Sequence, residues 1–237
     1  MSQTFKIRKG HDIKLVGSAP KTDLGSITAS TYAVTPLDFP GITPKLAVKA
    51  GTQVKAGDTL FFDKDRPEVK ICSPVSGEVA EVKRGAKRKI LAVLILADSD
   101  ITYTDHGAFS ISGATREDAE AHFSATGVGA FITSRPYGVA ASMSEKPRAI
   151  FVNGIQSGPL AGDLAYQLTG KEKSIVTAVK ALKLMTEGTV YVSHDADQAP
   201  IEALQSLEAT HITFSGKHPK GLVGTHEVTQ ELQGTKQ

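Results

Sequence analysis

Gly51-Thr52-Gln53-Val54-Lys55-Ala56-Gly57-Asp58-Thr59-Leu60-Phe61-Phe62, followed by Ser73-Pro74-Val75-Ser76-Gly77-Glu78-Val79, decides how the first part of the chain folds. In the first stretch, Gly-x-x-Val-x-x-Gly-x-x-Leu points Val54 and Leu60 inward and puts glycine at the tight turns, where a residue without Cβ is least costly. The second stretch repeats the device with a proline-bounded bend, a glycine turn and a new alternating strand.

The two half-motifs together resemble the small barrel-sandwich that carries biotin or lipoate in other proteins. Such carriers present one lysine on the hairpin before the second motif. Counted back from Gly77 by the carrier spacing, that position holds Arg66, with Pro67 beside it, and Lys64 lies two residues out of register. A guanidinium cannot be acylated as an amine can. The expectation is the carrier's shape without its hook, a barrel used as scaffold.

The composition, 40% hydrophobic and 22% charged over 237 residues, is that of an ordinary soluble protein with one large or two modest domains. The longest apolar run, Ile90 to Ala97, is strand length and far short of the roughly 18–20 residues that span a bilayer. The start, Met1 to Gly10, lacks the apolar core of a secretory signal. A single cysteine, Cys72, excludes an intramolecular disulfide and a thiolate cluster, fits a reducing compartment, and reads as a buried structural thiol.

Net charge hides an asymmetry: residues 1–100 carry 16 Lys and Arg against 11 Asp and Glu, and the remainder 11 against 14. Lys83, Arg84, Lys87, Arg88 and Lys89 crowd around Gly85. That cluster reads either as a solvated hairpin turn that discourages edge pairing, or as a docking patch for an acidic partner or anionic headgroups. Nucleic acid is disfavoured, because no aromatics interleave the patch and the chain has no tryptophan.

Near residues 98–112 the pattern changes from strand-and-turn to helical spacing. Thr115-Arg-Glu-Asp118 predicts a capped helix with Ala119, His122 and Phe123 on one face and Gly127 as its stop. Ala149–Asn153 predicts a buried strand. Ser174 is expected to cap a helix carrying Ile175, Ala178, Val179, Leu182 and Met185 to Gly188. Strands at Thr189–Ser193 and Thr210–Phe214 flank a helix at Pro200–Leu207. Alternating strands and helices predict a parallel, nucleotide-fold-like sheet. Glu227–Gln237 is polar and pattern-poor, and is expected to be a disordered or truncated tail. The predicted organisation is α+β: an all-β barrel-sandwich hybrid over 1–103, a Rossmann-like α/β domain over 104–226, and the tail over 227–237.

A parallel sheet usually binds its ligand at the carboxyl ends of its strands. No dinucleotide fingerprint or Walker loop is present, and Gly127-Val-Gly129 is too short. Asn153-Gly154 to Pro159 leaves a strand end and could turn amides toward a ligand, or be a plain turn. His194, Asp195 and Asp197 could hold a cation or a proton, although a surface turn is the simpler reading. His218 and His226 lack metal-ligand spacing. No nucleophile elbow occurs, so the residues themselves show no catalytic or metal apparatus.

Phrases running in order through the chain resemble the A subunit of the sodium-translocating NADH:quinone reductase (NQR) and, more distantly, the C subunit of Rnf electron-transport complexes. They are Ile7-Arg-Lys-Gly10, Asp63-Lys64, Val69 to Gly77, Arg84-Gly85-Ala-Lys-Arg88, Phe131 to Tyr137, Ile150 to Asn153, Pro159-Leu-Ala161 and His218 to His226. Flavin-binding relatives carry a longer glycine-rich loop where this chain has Thr126–Gly129, and acidic residues where it has Ile155–Ser157. The resemblance therefore implies a flavin-type fold holding no cofactor of its own. The family continues beyond His226, so the chain reads as an N-terminal portion of the family's length.

The resemblance further implies a peripheral component on the cytoplasmic face of the bacterial inner membrane, without a transmembrane segment. The complex takes electrons from NADH to ubiquinone and exports sodium, with FMN, FAD, riboflavin and iron-sulfur on other subunits. The other NQR subunits are the implied partners, above all the quinone-side membrane subunit. The expected quinone-binding residues are Phe131, Arg135, Tyr137, Asn153 and Pro159. Phe131 and Tyr137 would pack a flat ring and Arg135 would donate to its oxygen. The alternatives are an Rnf-like electron-transport component or a stand-alone flavin- or NADH-binding protein.

Overall fold

A computed structural model of the chain describes residues 3–234. β1 (Gln3–Ile7) comes first, then β2 (Thr31–Val34), β3 (Pro44–Leu46) and β4 (Gln53–Val54). β5 (Thr59–Asp63), β6 (Lys70–Cys72), β7 (Gly77–Arg84) and β8 (Ile90–Ala97) follow. Strands β2, β8, β7 and β4 form one antiparallel sheet in that order, and β3, β5 and β6 form a second. Their inward residues make one apolar core: Val54, Leu60, Phe61, Val69, Ile71, Val75, Val79, Val93 and Ile95. Val54 and Leu60 are both buried, as the glycine-punctuated motif requires.

Helix α1 (Arg116–Thr126) follows the barrel strands. Its capping box is the one the sequence spells: the Asp118 amide donates to Thr115 Oγ1 at 3.2 Å and Asp118 Oδ2 accepts the Thr115 amide at 2.9 Å. Gly127, at φ +72°, ends it. The helix buries Ala119 and Phe123, and Ser124 Oγ donates to the Glu68 carbonyl. A short hairpin, β9 (Thr133–Ser134) and β10 (Val139–Ala140), adds Ala140 to the barrel core. Cys72 is half-buried rather than fully buried; burial still raises its thiol pKa, against a contact with the Thr59 hydroxyl.

The remainder alternates. β11 (Ala149–Val152), α2 (Leu164–Leu168), α3 (Glu172–Leu184), β12 (Thr189–Asp195), α4 (Glu202–Gln205), β13 (Thr210–Gly216) and α5 (Val223–Gly234) succeed one another. The sheet is entirely parallel, in the order β1-β13-β12-β11. On one face Val190, Val192, Ile150 and Val152 pack with Val179 of α3 and Leu204 of α4. On the other, Phe5, Ile7, Phe151, Ile212 and Phe214 pack with Ile155, and His226 of α5 stacks on Phe214 with ring centroids 4.1 Å apart.

Contacts gather the chain into two units: Gly25–Glu145, and the two chain ends, up to Leu24 and from Lys146 onward. This differs from a boundary at 103/104 in two ways. The N-terminal strand joins the parallel sheet because Phe5 and Ile7 complete an apolar face beside β13. Helix α1 joins the barrel strands because it lies against β6 and Ser124 Oγ donates to the Glu68 carbonyl. Two local expectations are also corrected. Ser174 lies inside α3, whose N-cap position is Lys171, with Glu172 Oε1 accepting the Gly170 amide. Most of the expected tail is helix: α5 runs through residue 234, because buried His226 anchors a segment that looks polar as a string. Residues 235–237 lie outside the described residues.

Gly77 is the glycine on which the barrel closes. A Cβ there would lie 2.8 Å from the Leu96 carbonyl carbon and 3.1 Å from Ala97 Cα, across the β7–β8 ladder. Gly107, at φ +74°, has nothing within 4 Å of such an atom. Gly77→Ala should therefore cost about 2–3 kcal/mol through overpacking and strain, and Gly107→Ala about 1 kcal/mol through backbone conformation alone. Equal shifts of the two variants in urea unfolding would show that the close approach does not matter.

Candidate functional site

The carboxyl ends of β11, β12, β13 and β1 are where a parallel sheet offers its backbone to ligands. Here those ends are tied to one another. After β11, Asn153 Oδ1 accepts from the Ile155 amide at 3.0 Å and from Ser193 Oγ at 3.1 Å, while the Gly154 amide donates to Ser193 Oγ at 3.1 Å. Asn153 Nδ2 donates to the Gly221 carbonyl at 2.9 Å. The Gly221 amide donates to Ser157 Oγ at 2.9 Å, which leaves the serine hydroxyl to donate to His218 Nδ1, also at 2.9 Å. Asp12, past β1, accepts the His218 amide at 2.9 Å.

Lys220 holds the centre of this arrangement. It is buried, with Nζ 2.6 Å from Asp195 Oδ1 and 2.8 Å from Asp197 Oδ2. Burial alone would lower its pKa, but the bonds from the two carboxylates outweigh that and hold the ammonium above its ordinary value. The same bond, with the Gly216 amide, holds Asp197 below the ordinary carboxylate range. His226 Nε2 lies 2.6 Å from the Lys220 carbonyl, which can only accept, so the imidazole carries its proton there. Burial lowers the pKa of His226 against that bond.

A second histidine pair sits nearby in the sheet. His194 Nε2 and His211 Nδ1 are 2.7 Å apart, and His211 Nε2 lies 2.9 Å from the Leu207 carbonyl. Burial, then the neighbouring His211, lowers the His194 pKa. His194, Asp195 and Asp197 are thus not one constellation. The two carboxylates belong to Lys220 and the imidazole to His211, and no metal-binding group of three or more ligands occurs among the described residues. Lys220 and His211 escape a reading of the sequence; the only local trace of the first is the Pro-Lys-Gly phrase before His226.

In the barrel unit, Arg66 stands where a carrier would hold its lysine, and each of its three guanidinium nitrogens donates a hydrogen bond. Nε donates to buried Asp63 at 2.7 Å, Nη1 to the Ala140 carbonyl at 2.6 Å and Nη2 to the Gly41 carbonyl at 3.1 Å. Asp63 also accepts the Thr43 amide at 2.9 Å. The hook position is a clamp that joins the end of β5, the end of β10 and the turn at Gly41.

The expected quinone residues divide between the units. Phe131, Arg135 and Tyr137 surround the β9–β10 hairpin, whose turn is closed by the Gly138 amide donating to the Ser134 carbonyl at 2.9 Å. Phe131 is 77% and Tyr137 83% exposed. Phe131 meets Phe39 edge-on at 5.6 Å, and Arg135 is exposed. Asn153 and Pro159 lie in the other unit; Asn153 spends its side chain on the bonds above, and Pro159 is exposed. Lys83, Arg84, Lys87, Arg88 and Lys89 are all exposed at the β7–β8 turn.

Two family models match the chain in order. The one described as the NqrA N-terminal barrel-sandwich hybrid domain covers residues 5–98, and the one described as the NqrA second alpha/beta domain covers 114–233. Among curated proteins, the A subunit of the Na(+)-translocating NADH-quinone reductase of Yersinia pseudotuberculosis is 30% identical over 94% of this chain and 50% of its own length. The corresponding protein of Teredinibacter turnerae is 32% identical over the same shares, and that of Vibrio anguillarum 31% identical over 93% and 49%. The chain spans about half the length of the curated relatives it matches.

The buried groups predict the response to substitution and acid. Lys220→Met leaves the Asp195 carboxylate buried without its cation and should cost about 3–5 kcal/mol. Histidines with lowered folded pKa bind fewer protons than the unfolded chain. Their contribution is complete above the unfolded value of 6.5 and is lost as pH falls below it. Unfolding free energy should therefore fall between pH 7 and 5.5, and His226→Phe should shallow that slope even if it lowers stability at pH 7. An unchanged slope in that variant would remove His226 from the account.

Proposed function

The chain belongs to the NqrA family, and from that premise we propose that it acts as a peripheral subunit of a sodium-translocating NADH:quinone reductase. The observation that carries this is the succession of the family's first two domains along one chain, at about 30% identity to proteins named as that enzyme's A subunit. Among the described residues no helix is long and apolar enough to cross a membrane. Attachment to the complex is therefore assigned to contacts with the other subunits, principally the quinone-side membrane subunit, on the cytoplasmic face.

The proposed contribution is to quinone reduction coupled to sodium export, with ubiquinone as the acceptor. NADH, the flavins and the iron-sulfur centre are assigned to other subunits. The bonding at the sheet's carboxyl ends supports a chain that holds no flavin: the Gly154 and Ile155 amides, which a phosphate would need, already donate to Ser193 and Asn153. Lys220, at those ends, is already paired with two aspartates.

Within the barrel unit, the exposed hairpin supplies the groups for a quinone contact. Phe131 and Tyr137 present ring faces and edges to a flat apolar ring. Arg135 makes no hydrogen bond among the described residues, so its five N–H donors are free to meet a quinone oxygen. A charge-assisted bond strengthens as negative charge develops on that oxygen during reduction, and so lowers the barrier more than it tightens binding of the oxidised ring.

Arg135→Ala, introduced into the assembled complex, tests this. Loss of a charged donor should reduce quinone-dependent kcat/KM by about 10- to 100-fold, the equivalent of roughly 1.5–3 kcal/mol. NADH oxidation by an artificial acceptor should persist. Quinone kinetics equal to those of the unaltered complex would reject the Arg135 role, and a purified chain that carries bound flavin would reject the flavin-free reading.

A further inference from the structure

The β7–β8 turn carries the densest charge on the molecule. Lys83 and Arg84 end β7, Lys87, Arg88 and Lys89 follow Gly85 and Ala86, and all five cations are exposed. Among the described residues none of the five forms an ion pair with a carboxylate. The turn is not a loose loop: the Gly85 amide donates to the Lys89 carbonyl at 2.8 Å, the Lys89 amide to the Ala86 carbonyl at 3.2 Å, and Arg84 Nη1 to the Arg88 carbonyl at 3.0 Å.

Two features separate this turn from a merely solvated one. Lys87 and Arg88 adopt φ of +54° and +62°, the left-handed region where glycine or asparagine is far less strained. Cations thus stand at two successive positions whose backbone disfavours them, and the strain is tolerated in a hydrogen-bonded turn. The five charges also come from both the end of β7 and the turn beyond it, which gathers them at one tip of the β7–β8 hairpin.

We propose that this tip binds the anionic headgroups of a lipid bilayer. A stable protein interface is centred on desolvated aromatic or aliphatic anchors, and the tip offers none: Ile90 is buried, and Val82 and Leu91 are half-buried beside it. A headgroup layer needs no such anchor, because it responds to the count of cations near its surface, each worth about a five-fold gain in partitioning. The inference rests on the membrane-complex reading for the presence of a bilayer. It assigns the cations to lipid, with an acidic protein surface as the rival.

The experiment is cosedimentation of the 237-residue chain with vesicles of phosphatidylcholine alone, or with about 30% phosphatidylserine, where the attraction is that of anionic lipid for polybasic segments. The chain should pellet with the anionic vesicles only, and raising salt to about 0.5 M should release it. Lys87→Asn with Arg88→Asn keeps residues suited to the left-handed backbone and should weaken binding by about 25-fold, two steps of five. Lys83→Gln with Lys89→Gln leaves those two positions untouched and should weaken it equally, so the test survives misfolding of the first pair. Absence of serine-lipid dependence, or full binding by both double variants, overturns the proposal. So does vesicle binding that survives in variants which fail to assemble with the other subunits, since that pattern assigns the tip to protein. Because the vesicles contain no other subunit, failure here counts against the lipid assignment and not against membership of the complex.

Discussion

The parallel pairing of β1 with β13 is the constraint on which the α/β unit depends. Five residues at the start of the chain close the sheet against a strand some 200 residues later, with Phe5 stacked on Phe214 at 5.1 Å and both rings buried. Without β1, the apolar edge formed by Ile212 and Phe214 would face water, and β13 would present an unpaired row of amides and carbonyls. Joining chain ends across so long a separation costs little in equilibrium terms, since each doubling of a closed loop adds only about 0.6 kcal/mol. Its effect falls on folding order: β11, β12 and β13 pair over short separations, whereas β1 joins only across the whole chain.

That topology makes the barrel unit an insertion in the sequence of the α/β unit. The α/β unit turns its strand-end groups inward, although Asp195 Oδ2 and His226 Nδ1 are buried without a hydrogen-bond partner. Its strand-end amides, Asn153, Ser157, His218 and Lys220 are bonded inward, and an uncompensated charge there would be costly because so little water reaches it. Lys220 shows the balance: desolvation opposes its charge, yet two aspartates more than restore it. The barrel applies the same economy at Arg66, where the cation is fixed by Asp63 and two carbonyls. A lysine amine could not reach three acceptors with a planar fork, so the arginine is a structural choice as well as the loss of an acylation site.

Much of the fold is legible in the sequence because its signals are local. Glycine spacing places Val54 and Leu60 in the barrel core, Thr115 and Asp118 announce the start of α1, and alternating apolar runs announce the parallel strands. Partnership is what the string conceals. Period-two alternation marks Gln3–Ile7 as a strand but carries no record of which strand it joins, so β1 reads as part of the barrel. Helix α5 is hidden because its anchor is an imidazole, and His226 counts as polar in any pattern although it is buried against Phe214. At the site, the absence of a lysine hook is legible from one residue, but the clamp Arg66 forms with Gly41 and Ala140 depends on loops that only the fold brings together. Asp195 stands out in the sequence and Lys220 does not, since their 25-residue separation is bridged by β13.

Two clusters of exposed groups on the barrel unit order the functional reading. Phe131, Tyr137 and Arg135 at one hairpin, and the five cations at another, are exposed side chains whose bonding capacity the fold does not consume. An exposed aromatic ring forgoes about 1.5–3 kcal/mol of burial, and an unpaired cation cluster stores repulsion. The hairpin with Phe131, Arg135 and Tyr137 and the turn with its five cations thus give the barrel unit two exposed surfaces for the proposed contacts.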